Sequence, residues 1–204
     1  AFYTPPPAAQ LESLRTKLAL EGKRVLLTIG RLVEGKGFPH LIPILETVLK
    51  DNPNVVWIIV GSGPKTAEVV SLIQKHSLQN VVRFVGEVAH VDLNVYYHLA
   101  DAFVLLTHPD NGQEEGLGLV FLEAAAAGLP VVAGKSGGVE EGVQNGVSGY
   151  IFDVYTQKAE ISAAIVAMLR DPALCEQLGQ AGQARMRAEF SWPHQLSGLR
   201  AWLE

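Results

Sequence analysis

With 204 residues, 48% of them hydrophobic and 18% charged, the chain can bury a sizeable core and is not a disordered polymer. A formal net charge of −5 and the lack of any basic run exclude the cationic surface that nucleic acid requires. The single cysteine, Cys175, excludes an internal disulfide and suits a reducing compartment, and no apolar run reaches membrane-spanning length. A cytoplasmic domain without membrane contact of its own is therefore expected, with peripheral attachment through a further domain left open.

The first nine residues, AFYTPPPAA, carry three consecutive prolines and read as a linker that forms no helix. Residues 1–22 are expected to be this linker and a leading helix that arrive from a preceding domain. Strands are expected at Arg24–Ile29, Val55–Val60, Val81–Val85, Ala102–Leu106, Pro130–Ala133 and Tyr150–Phe152. Each is an apolar run without polar alternation, the pattern of strands covered on both faces. Helical patterns near 38–50, 65–77, 90–99, 118–127 and 138–144 separate them, and everything from Gln157 onward reads as helix. This alternation specifies an α/β fold, a Rossmann-like doubly wound parallel sheet over residues 23–190 with a helical tail at 191–204.

Ligands of such sheets collect outside the carboxyl ends of the strands. Glycine-rich loops fall at that edge: Gly30, Gly61-Ser62-Gly63, Gly86 and Gly134 to Gly138. The first loop, Gly30-Arg31-Leu32-Val33-Glu34-Gly35-Lys36-Gly37, follows a Walker A pattern until Gly37 stands where Ser or Thr would hold Mg²⁺. Phosphate hydrolysis of that type is disfavoured. An Arg and a Lys five residues apart remain, and they either neutralise a diphosphate or form a solvated basic loop. In the second loop Thr66 replaces the third glycine of a dinucleotide fingerprint, and Arg83 stands where an acidic ribose ligand is needed. NAD is disfavoured; the loop is either a plain tight turn or a surface for a base or ribose.

The fourth rim loop carries the sharpest pattern, Glu115-Gly116-Leu117-Gly118-Leu119 and then Glu123 inside an apolar run ending in four alanines. A helix starting near Gly118 offers free amides and a positive dipole end to a phosphate. Carboxylates on either side suit sugar hydroxyls. Glu123 is either a helix-surface acid or a charge facing a cleft, since apolar neighbours leave it little else. Gly128 is placed to cap the helix and Pro130 to stop it. The two acids would lie about 80° apart on one helix, and Glu115 is expected to precede it, so they read as separate acceptors. The six histidines (His40, His76, His90, His98, His108 and His194) lack metal spacing and read mostly as surface or capping residues. No metal is expected. Cys175 lacks a nucleophile's context and reads as packing.

Taken together these motifs resemble the C-terminal, donor-binding domain of a GT-B retaining glycosyltransferase of family 4 (glycosyl transferases group 1). The resemblance rests on Gly30-Arg31-Leu32 with Lys36-Gly37, Val60-Gly61-Ser62-Gly63-Pro64, Phe84-Val85-Gly86 and Tyr97-His98-Leu99-Ala100-Asp101. It continues through Glu115 and Glu123 with seven residues between them, then Gly137-Gly138-Val139-Glu140-Glu141, Asn145 to Tyr150 and Phe190-Ser191-Trp192. It implies a nucleoside-diphosphate sugar (UDP-, GDP- or ADP-sugar) as donor, with no cofactor required. Arg31 and Lys36 would hold the diphosphate, Glu115 the transferred sugar, and Glu123 the ribose. Gly116, Leu117, Gly118 and Leu119 would offer amides, and Gly30, Gly61, Gly63, Val85 and Glu87 would border the nucleotide. The acceptor would sit on an N-terminal domain that this chain lacks, so the isolated domain is expected to be inactive alone. Segment 196–204 would return toward that domain. A non-catalytic nucleotide- or phosphosugar-binding module of the same fold is the alternative, and a sugar-nucleotide epimerase is disfavoured.

Overall fold

A computed structural model describes residues 2–197 of the protein. Six strands, β1 (Arg24–Ile29), β2 (Val55–Val60), β3 (Val82–Gly86), β4 (Ala102–Leu105), β5 (Val131–Gly134) and β6 (Gly149–Phe152), form one sheet in the order β3-β2-β1-β4-β5-β6. All neighbours pair in parallel, from Arg24 opposite Val55 at one end of β1–β2 to Gly134 opposite Phe152 on β5–β6. The order reverses between β1 and β4, which makes the carboxyl ends of those two strands the expected ligand crevice. The doubly wound α/β expectation holds, and each strand starts or ends within one residue of its expected bound.

Alternate residues of the strands serve opposite faces, as the pleat requires. Leu26, Trp57, Ile59, Val104 and Val132 pack under α2 (Phe38–Asp51), α3 (Thr66–Lys75) and α7 (Lys158–Arg170). Val25, Leu27, Ile58, Phe103 and Leu105 pack under α1 (Ala8–Lys17), α4 (Leu93–Leu99) and α5 (Leu119–Ala126). The continuous apolar runs therefore have a cause: both faces are covered. A short α6 (Val139–Gly142) connects β5 to β6, and the described chain ends in α8 (Pro172–Glu189) and α9 (Trp192–Ser197).

Two local expectations need correction. Ala8 and Ala9 are helical, because the proline run ends at Pro7, which caps α1 with an extended backbone. The expected helix near 90–99 is a 3-10 turn, His90–Asp92, followed by α4. The alanines of α5 serve two neighbours: Ala124 and Ala126 join the core against the sheet, while Ala125 packs with Met186 of α8. Gly179 and Gly182 of α8 make that approach possible, since a side chain at Gly179 would strike the Gly128 carbonyl. The helix end is as expected: Gly128 has φ +75°, its amide bonds Ala125, and Leu129 bonds Ala124, the paired bonds of a Schellman cap. Cys175 is half-buried, its Sγ donating to the Met168 carbonyl at 3.0 Å, and burial pushes its thiol up to about 11. Of the expected tail, residues 198–204 lie outside the described residues, as does most of the segment at 196–204.

Candidate functional site

The rim is knitted by backbone bonds between loops distant in sequence. Leu32 donates to the Ser62 carbonyl at 2.8 Å, Lys65 to Leu32 at 3.0 Å, and Gly61 to Gly86 at 2.7 Å. Gly61 has φ +135°, and a side chain on Gly63 would run into the Leu32 backbone. These glycines are required by close loop packing. The resulting cleft, about 460 Å³, is lined by Gly30, Arg31, Gly61, Ser62, Gly63 and Glu87, with Val88 and Leu93 on its apolar side. Arg31 is exposed, and its side chain makes no hydrogen bond or ion pair among the described residues. Ser62 donates its hydroxyl to Glu87.

Val85 does not reach this cleft. Its side chain packs half-buried against the core, because the strand alternation that exposes Phe84 turns Val85 inward. Val88 stands in its place. Lys65 beside this turn bridges Glu34 at 2.6 Å and Glu68 at 2.8 Å, which raises its own pKa and lowers that of Glu34.

A smaller depression of about 150 Å³ adjoins, lined by Glu34, Gly35, Lys36, His108, Glu114 and Glu115 among others. Here the Lys36 ammonium forms an ion pair with Glu115, 79 positions away in sequence and mostly shielded from solvent. The structure thus separates the two expected diphosphate cations, Arg31 lining one cleft and Lys36 the next. Lys36 is placed by Gly37, whose φ of +69° turns the chain into α2. A side chain there would collide with the Leu106 carbonyl, so the hydroxyl of a true Walker loop has no room.

Glu115 is fixed through its backbone as well. Its amide donates to Ser136 Oγ at 3.0 Å, and its carbonyl accepts from Gly138 at 3.1 Å. A side chain on Gly137 would strike that same carbonyl, which explains the Gly137-Gly138 pair. Gly118 enters α5 at φ +68°, so Glu115 does precede the helix. The side chains of Leu117 and Leu119 face away, into an apolar groove with Leu122, Met186, Phe190 and Trp192. Only the amides of Gly116 to Leu119 are left for a ligand.

Glu123, on α5, is bound from two sides. Tyr97 of α4 donates its hydroxyl to one carboxylate oxygen at 2.7 Å, and His90 Nε2 lies 3.0 Å from the other. The reading of most histidines as surface or capping residues fits the exposed His90 but not His108. His90 contacts a site carboxylate, and His108 is buried with Nδ1 2.9 Å from the Tyr155 hydroxyl. His40 stacks edge-on to both of those rings. Burial, and then the neighbouring His108, hold His40 below its ordinary 6.5. Among the described residues no group of His, Cys, Asp and Glu is arranged to hold a metal, and no helix is long and apolar enough to cross a membrane.

A parallel sheet in this strand order, with basic and acidic residues on its carboxyl rim, is a Rossmann-like α/β fold, and it matches the structures of GT-B glycosyltransferases. The chain belongs to the glycosyl transferases group 1 family, whose model matches residues 11–185. It is 33% identical over 192 residues to the GDP-mannose-dependent alpha-(1-6)-phosphatidylinositol monomannoside mannosyltransferase of Mycobacterium tuberculosis, covering 93% of this chain and 49% of that protein. HepE of Anabaena, solved in complex with UDP and glucose, superposes with a TM-score of 0.83 at 25% identity, over 96% of this chain and 53% of the other. The fold also matches the separately solved C-terminal domain of a group 1 glycosyl transferase, LpcC of Francisella tularensis, at TM-score 0.75 and 20% identity. That match covers 94% of this chain and 97% of that domain. The chain spans about half the length of the curated relatives it matches.

Proposed function

We propose that this domain binds the nucleoside-diphosphate sugar of a retaining glycosyltransferase whose acceptor is held by a second, N-terminal domain. The observation that carries the reading is the Lys36–Glu115 pair beside the start of α5, next to a cleft bordered by the unpaired Arg31. A diphosphate crossing from one cleft to the other would meet both cations and the positive helix end, which supplies charge without a metal. Glu115, released from Lys36 as phosphate enters, would accept from the sugar's hydroxyls. Glu123 would accept from the ribose, and the base would lie between the Gly61–Gly63 turn and Glu87-Val88. In transfer, the bond from the sugar's anomeric carbon to the phosphate oxygen breaks while a bond to the acceptor oxygen forms on the same face. The departing phosphate takes the acceptor's proton, so no separate base is needed on this domain.

The relatives leave the base open, since one is named for GDP-mannose and a structural neighbour was solved with UDP. Calorimetry with UDP, GDP and ADP, their sugars and the free nucleosides, run beside a transfer assay, tests the proposal. It expects weak, diphosphate-dependent binding and no turnover by the isolated domain in a reducing, cytoplasmic-type buffer without metal. Binding of nucleosides as strong as of diphosphates would reject the phosphate role, and turnover by this domain alone would reject the division of labour. Diphosphate binding that gains nothing from the attached sugar would favour a plain nucleotide-binding module.

A further inference from the structure

Glu123 presents its two oxygens to partners of different kinds. Tyr97, 1% exposed, holds one of them from beneath. Its ring is packed 5.9 Å from Phe103 and 5.3 Å from Phe2, and the other acceptor in reach of its hydroxyl, the Val120 carbonyl, is more distant at 3.5 Å. Burial, with the carboxylate beside it, raises the phenol's pKa far above its ordinary 10, so it stays an O–H donor. The other oxygen bonds His90, whose side chain is 71% exposed and which opens the turn after Val88 on the cleft wall. One partner is held inside the core, the other at the surface by an edge contact with Phe2.

We infer that Tyr97 is a positioning residue that reserves one oxygen of Glu123 and turns the other to the ribose, where His90 stands until a nucleotide hydroxyl displaces it. The inference rests on the assignment of the ribose to Glu123. A carboxylate free to rotate would spread its lone pairs between solvent and ligand. Fixing one oxygen with a neutral donor leaves the negative charge undiminished for a hydroxyl at the other. The exposed imidazole ring, an N–H donor in the tautomer that bonds the carboxylate, fills the place of that hydroxyl.

The test measures the affinities of UDP and GDP and of their 2′,3′-dideoxy analogues by calorimetry. The ratio of parent to dideoxy affinity isolates the hydroxyl contact, which a purely structural role would not move. Tyr97→Phe should weaken the parent nucleotide about five- to tenfold and the dideoxy analogue less than about twofold. His90→Ala, at an exposed side chain, should tighten the parent about twofold or more and leave the analogue unchanged. It keeps the test decisive if Tyr97→Phe fails to fold. An equal loss for both ligands in Tyr97→Phe, or weaker parent binding in His90→Ala, overturns the inference. Glu123→Gln separates the levels. If it preserves the wild-type ratio, the ribose assignment falls and the inference with it. If it abolishes the ratio while Tyr97→Phe keeps it, only the inference falls.

Discussion

Glu115 and Glu123 stand eight positions apart and meet opposite partners. Glu115 faces an ammonium brought from the far side of the switch point, and its backbone is pinned by Ser136 and Gly138. Glu123 faces a neutral phenol and an exposed imidazole. A carboxylate paired with Lys36 shows little net charge to an approaching ligand. One held by a phenol keeps its charge, which favours hydroxyl donors and repels phosphate. The same side-chain type therefore yields a site that must open for an anion and a site that stands ready for a diol.

The largest effect should come from breaking the first of these through the backbone. Gly37→Ala forces an L residue into a left-handed turn and into the Leu106 carbonyl, displacing Lys36. We expect a loss of about 3 kcal/mol and a Tm lower by roughly 6–12 °C in calorimetric scans. Gly116→Ala, where nothing lies within 4 Å and φ is ordinary, is the control and should stay within about 0.5 kcal/mol. A small change at Gly37 would show that the Lys36 loop is free to relax, and the Glu115 end would then not be preorganised.

Next come the side chains. Lys36→Ala should weaken nucleoside diphosphates about tenfold or more while leaving free nucleosides unchanged, since a charge-assisted phosphate bond is lost. Glu123→Gln should weaken diphosphate and nucleoside alike, because both carry the ribose. Glu115→Gln sharpens the contrast through its sign. Removing the charge that occupies Lys36 should tighten a sugar-free diphosphate by about two- to fivefold, the reverse of the change at Glu123. Titrations with UDP and GDP read all three; a weaker diphosphate in Glu115→Gln would mean that the ion pair does not compete with ligand.

The strands and the rim loops were legible in the sequence because their signals are local: an apolar run of strand length, a glycine at a strand end, a proline that stops α5. The Glu115–Glu123 spacing was legible for the same reason. The partners were not. Lys36 and Glu115 are joined by the order of the strands, and Tyr97 reaches Glu123 only because α4 and α5 share one face of the sheet. Val85 packs against the core while Val88 lines the cleft, and Val88 carried no signal of its own. His90, His108 and His40 looked interchangeable with His76 and His98, because burial and ring stacking are properties of packing, not of the histidine's neighbours in sequence.

The smallest expected effect separates the two ends by pH. His40 packs against His108, which lines the depression shared by Lys36 and Glu115, and against Tyr155, whereas the rings beside Glu123 are those of His90, Phe2 and Tyr97. Desolvation, His108 and Lys158 all disfavour a charged His40, and only Glu34 opposes them. Its folded pKa therefore lies below 6.5, so between that lowered value and 6.5 the unfolded chain binds more protons than the folded one. This contribution leaves stability intact above 6.5 and reduces it as pH falls from there toward the folded value. The acids whose pKa is lowered, Glu34 and Asp153, act only nearer their ordinary 4.5 and 3.8, below the window from 6.5 down to about 5, and the His40 variant separates this imidazole from the other histidines. Denaturant titrations of the wild type should show stability declining across that window, and His40→Asn should flatten the decline. An unchanged slope in the variant would remove the histidine cluster as the acid-sensitive element beneath Glu115. If acid also changed nucleoside affinity as much as diphosphate affinity, the two carboxylate sites would not be independent.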